Sequence, residues 1–416
     1  MVCEECIVIR DRLRVAEKRI EELERKLEAY ENAHTPSSRR RFPPKIENSS
    51  KKRAGQKEGH IGVTRGKREP TIELEVVEDR CFYCDAKLGE PFKKVSRIIE
   101  EIPEPKPVEV IKYNINHYRC KRCGKITVSR AKIPTESRFG ANTLAHVTLL
   151  KFEDRLPLKK VCNTISRQFN LDLSAGTVFD ITRRVSDKLL PEYEKIRLAL
   201  RRSQVVYADE TGIRVNGLNY HLWVFTNKDA TLFAIRNSRG KNVIEEVLGE
   251  KFNGIITSDG WTSYSTYTNR IQRCWAHLLR EAKFLAEKYD SANPLYNGLK
   301  TLFEKAKCAK PPDKDKLIFE MMQWVQCSSA YKELRKFTTK ILNGIEHWFT
   351  FVQYPFVEPT NNRAERALRE LIVQRKIIGT LRNQKGSTIM ERINSCIITW
   401  KQNRLSSFYE IKNRLC

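Results

Sequence analysis

The chain lacks any stretch approaching the roughly 18 consecutive apolar residues of a membrane-spanning helix, which excludes a span of that kind. Its start, Met1-Val2-Cys3-Glu4-Glu5, has no basic lead into an apolar run, so a cytoplasmic, nucleoid-associated protein is expected rather than a secreted one. Acids are scarce: 51 Asp and Glu face 77 Lys and Arg, a formal net charge of +26 in 416 residues. That imbalance points to a polyanionic partner, and aromatic residues spread through the chain place nucleic acid ahead of a membrane surface. A disulfide framework is missing too. Of 12 cysteines, six stand in Cys-x-x-Cys pairs and six are isolated, which in a reducing compartment suggests metal binding. Lone Cys274, Cys308 and Cys396 have no His and acid arranged around them, so they read as small core residues and not as nucleophiles.

What is present falls into blocks. Over residues 1–34, Cys6, Ile9, Leu13, Ala16, Ile20, Leu23, Leu27 and Tyr30 recur at alternating intervals of three and four, a heptad seam suited to a dimeric coiled coil. Cys3 and Cys6 have no second pair nearby and stay unassigned. Residues 35–70 carry eleven Lys or Arg against three Glu with little apolar periodicity, as expected of a flexible basic linker that can track phosphates. Residues 71–134 hold Cys81-x-x-Cys84 and Cys120-x-x-Cys123. Four thiolates satisfy tetrahedral Zn²⁺ and leave no open position, so a structural zinc module resembling a zinc ribbon is expected, with Glu90 to Tyr118 looping the pairs together. Residues 135–200 are patterned as helices. Leu158 to Phe169 and Val178 to Leu190 form a candidate helix-turn-helix for DNA, with Ser174 as N-cap and Arg183 and Arg184 on the second helix.

At Gln204 the periodicity changes. Val205-Val206-Tyr207-Ala208-Asp209 is an apolar strand ending on an acid, which puts Asp209 at a strand tip. Asn216-Gly217 between apolar runs marks a hairpin, and Thr231 to Arg236 adds a third strand. Lys241 to Leu248 reads as a helix, Gly254 to Asp259 repeats the strand-then-acid pattern, Ile271 to Trp275 is a fifth strand and His277 to Tyr289 a helix. Three strands in a meander, a helix, a strand, a helix and a strand match an α/β, ribonuclease-H-like mixed five-stranded sheet. The catalytic core then spans 201–293, a helical insertion 294–355, and returning helices 356–416. In that fold the first and fourth strands are neighbours, so Asp209 and Asp259 could share cations, and hard carboxylate oxygens suit Mg²⁺. Glu365 is the third acid: Asn361 or Asn362 can cap its helix, and Ala364, Leu368 and Leu371 form an apolar stripe. Taken alone, Glu365 is better explained by an i,i+4 pair with Arg369. Arg366, Arg369, Arg375 and Lys376 are candidate phosphate binders, Glu358 is the rival acid, and His277 could assist near the site or simply hydrogen-bond at a helix start.

These residues carry a resemblance. Asp209-Glu210-Thr211, Ser258-Asp259-Gly260, Cys274-Trp275-Ala276-His277 and Asn361-Asn362-Arg363-Ala364-Glu365-Arg366 resemble the core motifs of the insertion-sequence-66 family of DDE transposases, and the zipper, Gly55-Gln56-x-x-Gly59-His60 and four-cysteine segments follow the family's order. Thr360 and Trp261 stand where the resemblance leads one to expect an acid and a tyrosine. The resemblance implies a DDE triad at Asp209, Asp259 and Glu365 holding two Mg²⁺ ions, with Mn²⁺ as a substitute, beside a structural Zn²⁺. It implies double-stranded DNA partners at element ends and target, a homodimer or higher oligomer, and room for accessory element-encoded proteins. The expected activity is metal-dependent cleavage at mobile-element ends and strand transfer. The alternatives are a catalytically inactive DNA-binding protein and a structure-selective nuclease on the same fold.

Overall fold

The computed structural model describes residues 13–20, 22–23, 69–128, 137–308, 310 and 313–415. The chain divides into two units, Arg41–Pro105 and the remainder, Met1–Arg40 with Lys106–Cys416. Residues 13–20 and 22–23 are helical, with Leu13, Ala16, Ile20 and Leu23 of the heptad seam exposed; the rest of the seam, Cys3, Cys6 and nearly all of the basic linker lie outside the described residues. The described part of Arg41–Pro105 contains no helix or named strand, and its ordered feature is the turn at Cys81–Cys84.

The large unit is built on five strands: β3 (Val205–Val215), β4 (Leu218–Thr226), β5 (Thr231–Arg236), β6 (Ile255–Ser258) and β7 (Ile271–Arg273), after a short hairpin of β1 (His117–Arg119) and β2 (Ile126–Val128). The sheet order is β5-β4-β3-β6-β7; β3, β4 and β5 run antiparallel, whereas β6 pairs parallel with both β3 and β7. The sequence explains the meander. Asn216 and Gly217 take φ of 50° and 75°, the left-handed pair that a two-residue hairpin turn requires. This strand order and direction are consistent with a ribonuclease-H-like fold.

Four helices, α1 (Ala141–Phe152), α2 (Leu158–Phe169), α3 (Ala175–Lys188) and α4 (Leu190–Arg201), precede the sheet and share one hydrophobic core with it. Tyr193 on α4 donates its hydroxyl to Phe233 O of β5 at 2.9 Å, tying the helices to the strands. Between strands lie α5 (Lys241–Leu248) and α6 (Thr262–Tyr267). Beyond β7, α7 (Trp275–Lys288) leads to α8 (Asn293–Ala306), α9 (Lys314–Ser328), α10 (Arg335–Leu342) and the single turn α11 (Thr350–Gln353). Trp275 opens α7 and does not end the fifth strand as its apolar neighbours suggested, since that strand stops at Arg273. There it is fully buried, stacks on Phe303 at 4.9 Å and donates its indole N–H to Trp348 O at 2.6 Å, so it anchors the helical insertion in a second core.

The chain returns through α12 (Asn362–Ile378), α13 (Gln384–Gln402) and α14 (Ser407–Leu415). On α12, Ala364, Leu368, Leu371 and Gln374 are buried, the helical stripe that packs it against β3 and β4. Helix α13 runs along β5 in matched steps. Thr231, Phe233 and Ile235 donate their N–H groups to Thr399 Oγ1 at 3.0 Å, Ser395 Oγ at 2.9 Å and Glu391 Oε1 at 2.9 Å. Two strand residues advance about 6.7 Å and four helix residues about 6.0 Å, so every second N–H meets every fourth side chain.

Candidate active site

The parallel pairing of β3 with β6 ends at Tyr207 opposite Thr257. Asp209 stands two residues further along β3, and Asp259 directly follows the end of β6 at Ser258, where the two strands part. Asp209 is therefore not at the end of its strand, as the apolar run suggested. β3 continues to Val215 because its pairing with β4 runs on through Asp209 opposite Val224, and only its contact with β6 stops. Crevices outside the carboxyl ends of parallel strands are where α/β folds place their chemistry. Gly260, with φ of 91°, turns the chain away directly after Asp259, and Asp259 Oδ1 accepts the Trp261 N–H at 3.0 Å.

Glu365 reaches this place through Asn361. Asn361 precedes α12 but its side chain does not cap the helix, contrary to the reading from sequence. It is fully buried, donates from Nδ2 to Ala208 O at 2.8 Å, and its own N–H donates to Cys274 Sγ at 3.0 Å. The residue beside Asp209 is thus bonded to the residue that starts the Glu365 helix. The Glu365–Arg369 pair does not form. Glu365 Oε1 lies 3.5 Å from His277 Nε2 and 4.0 Å from Arg280, and it is a buried atom without a hydrogen-bond partner.

Electrostatics report the same proximity. Burial holds the Asp209 carboxyl well above the usual range, and repulsion from Asp259, Glu210 and Glu365 adds to it, against one N–H bond from Glu210 at 2.9 Å. A half-buried set of repelling carboxylates with an unsatisfied oxygen on Glu365 fits a divalent cation, whose charge would remove the repulsion. Glu210 points elsewhere. It is bonded to Arg239 at 2.8 Å and to the Tyr264 hydroxyl at 2.7 Å; burial, then Asp259, raises its pKa. Glu358 is engaged by Arg363, and its N–H donates to the Tyr207 hydroxyl at 2.9 Å. Glu210 and the rival acid Glu358 therefore brace the site from outside it.

The raised pKa of Asp209 has a thermodynamic sign. A carboxyl whose folded pKa lies above its unfolded value contributes stability that is full below about 3.8 and is lost as pH rises through the folded value. In Mg²⁺-free buffer at pH 8, Asp209→Asn should accordingly raise Tm, by roughly 2–4 °C if about 1 kcal/mol of repulsion is relieved. Thermal unfolding with and without saturating Mg²⁺ checks this, and the advantage of the variant should vanish or reverse once the ion is present.

Other sequence candidates are distributed differently. On α3, Arg183 and Arg184 both bind Asp180, at 2.6 and 2.8 Å, and Arg183 also reaches Asp187 at 3.3 Å, so their charge is largely met by their own helix. Ser174 caps α3 as expected, accepting the Thr177 N–H at 3.0 Å. Arg366, Arg369 and Lys376 are exposed on α12. Arg375 turns back to β3, donating to Thr211 Oγ1 at 3.2 Å and to Gly212 O, and so braces the strand that carries Asp209.

The two cysteine pairs form matching turns, one in each unit. Cys81 N–H donates to Ala86 O at 2.8 Å and Asp85 N–H to Cys81 O at 2.9 Å; Cys120 N–H donates to Lys125 O at 2.8 Å and Gly124 N–H to Cys120 O at 2.9 Å. Gly124 takes φ of 68° as its position demands, and Asp85 takes 56° at the equivalent place. Backbone N–H groups, led by Tyr83 for Cys81 and by Cys123 for Cys120, hold both thiols below their ordinary pKa. At the first cysteine of each turn this favours the thiolate, the form a metal accepts.

Sequence reasoning missed the bridging role of Asn361, the Arg239–Glu210–Tyr264 brace and the inward turn of Arg375. The consecutive asparagines 361 and 362, more than one cap needs, were the available signal for the first.

An uncharacterized protein, y4jD of Sinorhizobium fredii (strain NBRC 101917 / NGR234), is 25% identical over 240 residues, 50% of this chain and 46% of that protein, so the match spans about half of that relative's length. Residues 136–389, which hold Asp209, Asp259 and Glu365, match the family described as Transposase IS66 family. More than half of the chain is covered by that match, and the chain belongs to the IS66 family of transposases.

Proposed function

We propose that the protein is a DDE-type DNA transposase that cleaves phosphodiesters at the ends of a mobile element and joins those ends to target DNA. The observation that carries this reading is the bond from Asn361 to Ala208 O, which brings the Glu365 helix to the strand bearing Asp209, whose parallel partner β6 leads into Asp259. Asp209, Asp259 and Glu365 would hold two divalent cations, Mg²⁺ or Mn²⁺. When bound, such ions activate the attacking oxygen and stabilise the leaving one in an in-line displacement.

The chain's own contribution is to place and neutralise DNA. Arg366 and Arg369, one and four residues after Glu365, and Lys376 further along α12 provide exposed cations for phosphates. In the first step a water oxygen bonds to the phosphorus and the bond to the element's 3′ oxygen breaks, freeing a 3′-hydroxyl. In the second, that hydroxyl bonds to a target phosphorus and displaces a target 3′ oxygen. One phosphodiester is exchanged for another, so no nucleotide cofactor is needed. The exposed seam at Leu13, Ile20 and Leu23 supports pairing with a second copy, and each cysteine turn, Cys81–Cys84 and Cys120–Cys123, has by itself the form in which a thiol pair grips a structural Zn²⁺.

The test is a strand-transfer assay with Mg²⁺ on DNA carrying the terminal repeats of the protein's own element. Cleavage and joining are expected, and both should require the repeats. Cleavage without joining, indifferent to the repeats, would identify a structure-selective nuclease instead, and tight binding with neither step a DNA-binding protein.

A further inference from the structure

We infer that His277 supplies a nitrogen ligand to the divalent ion held by Glu365, so that this position takes Mn²⁺ in preference to Mg²⁺. The inference rests on the metal-binding role proposed above for Asp209, Asp259 and Glu365. It starts from a distance. His277 Nε2 and Glu365 Oε1 are 3.5 Å apart, beyond the 2.7–3.2 Å of ordinary N–H···O hydrogen bonds, and Glu365 Oε1 is a buried atom without a hydrogen-bond partner. Two donors bound to one ion at about 2.1 Å lie about 3.0 Å apart at a right angle and about 3.4 Å apart at the tetrahedral angle. The observed separation is therefore long for a mutual bond and close to that of two ligands sharing an ion.

The surroundings narrow the ligand set. Cys274 Sγ falls with these two atoms in a group whose members all lie within 4.8 Å of one another. Its sulfur already accepts the Asn361 N–H at 3.0 Å and the residue is 1% exposed, so it belongs to the packing beneath the site. Arg280 is 4.0 Å from the same glutamate oxygen and 43% exposed, too distant and too solvated to hold it. His277 is fixed from below, since it lies in the first turn of α7 beside the buried Trp275 anchor. Mg²⁺ favours oxygen donors and keeps its waters, whereas Mn²⁺ accepts imidazole more readily. An oxygen pair at Asp209 and Asp259 beside a mixed nitrogen and oxygen pair at Glu365 would give two positions of unequal metal preference.

The experiment is Mn²⁺ titration of the zinc-loaded full chain, without DNA, followed by electron paramagnetic resonance, with pulsed measurement of nitrogen hyperfine coupling. Bound Mn²⁺ is expected to show a ¹⁴N coupling that changes on ¹⁵N-histidine labelling and disappears in Glu365→Gln. His277→Ala should lose the coupling and weaken that Mn²⁺ by at least about tenfold, while Mg²⁺ competition at the other position is little changed. His277→Gln serves as a second variant if the alanine chain does not fold, and the wild-type coupling needs no variant at all. Bound Mn²⁺ that depends on Asp209 and Asp259 but shows no histidine coupling, or a coupling that survives His277→Ala, overturns this inference and leaves the proposed function standing. Mn²⁺ binding indifferent to Asp209, Asp259 and Glu365 overturns both.

Discussion

Glu365→Gln should leave DNA binding intact while strand cleavage falls by about a thousandfold or more. The substitution keeps volume and one carbonyl acceptor but removes a charge, and a metal position worth several kcal/mol of transition-state stabilisation loses its anionic ligand. Binding should survive because the cations proposed for DNA, Arg366, Arg369 and Lys376, project from α12 into solvent, while the helix is held in place by Ala364, Leu368 and Leu371 on its other side. Gel-shift affinity and single-turnover cleavage on the same element-end duplex separate the two effects. Residual cleavage within tenfold of wild type would remove Glu365 from the site and reopen the search for the third acid.

Asn361→Ala is expected to have the next largest effect, and through a different route. It touches no substrate in this reading; it connects β3 to α12. Removing the amide leaves Ala208 O buried without its donor, a cost of about 1–3 kcal/mol in stability. It also frees the start of α12 to shift against Asp209, and a misplacement near 1 Å at a reacting centre costs about a hundredfold in rate. The expected profile is thus a modest loss in unfolding free energy by denaturant titration with a disproportionate loss in cleavage. Asn361→Asp should be worse, since it sets an anionic oxygen against the Ala208 carbonyl. A cleavage loss no greater than that of an equally destabilising core variant would reduce Asn361 to a packing residue.

The uneven legibility of this chain follows from sequence distance. The sheet could be read because its signals are local: Asn216-Gly217 fixes a hairpin within two residues, and Asp209 and Asp259 each interrupt an apolar strand within five or six. Thr231–Arg236 and Lys241–Leu248 form as alternation and helical periodicity indicate. Asn361 misled because its local chemistry, an amide ahead of a helix, favours capping, whereas its actual acceptor lies 153 positions away. Arg375 misled in the same manner, since a cation on a basic helix reads as a phosphate binder until β3 is seen beneath it. Extending β3 past Asp209 to Val215 needed its partner β4, because an apolar run records burial on both faces and not the length of a hydrogen-bonded ladder. Family membership was legible from motif order, which requires no geometry.

The ladder between α13 and β5 has a consequence for how copies of this protein can join. A sheet normally grows or pairs through the free amides of an outer strand, and here Thr231, Phe233 and Ile235 have theirs occupied by a helix of the same chain. At the opposite edge the insertion lies against β7 through different groups: Thr350 Oγ1 donates to Ile271 O at 2.6 Å, and the Gln272 side chain accepts the Phe351 N–H at 2.8 Å. Strand addition is thereby denied at the β5 flank. Copies of the protein would then meet through surfaces other than this edge, such as the N-terminal heptads, and joining would leave the β5 ladder undisturbed.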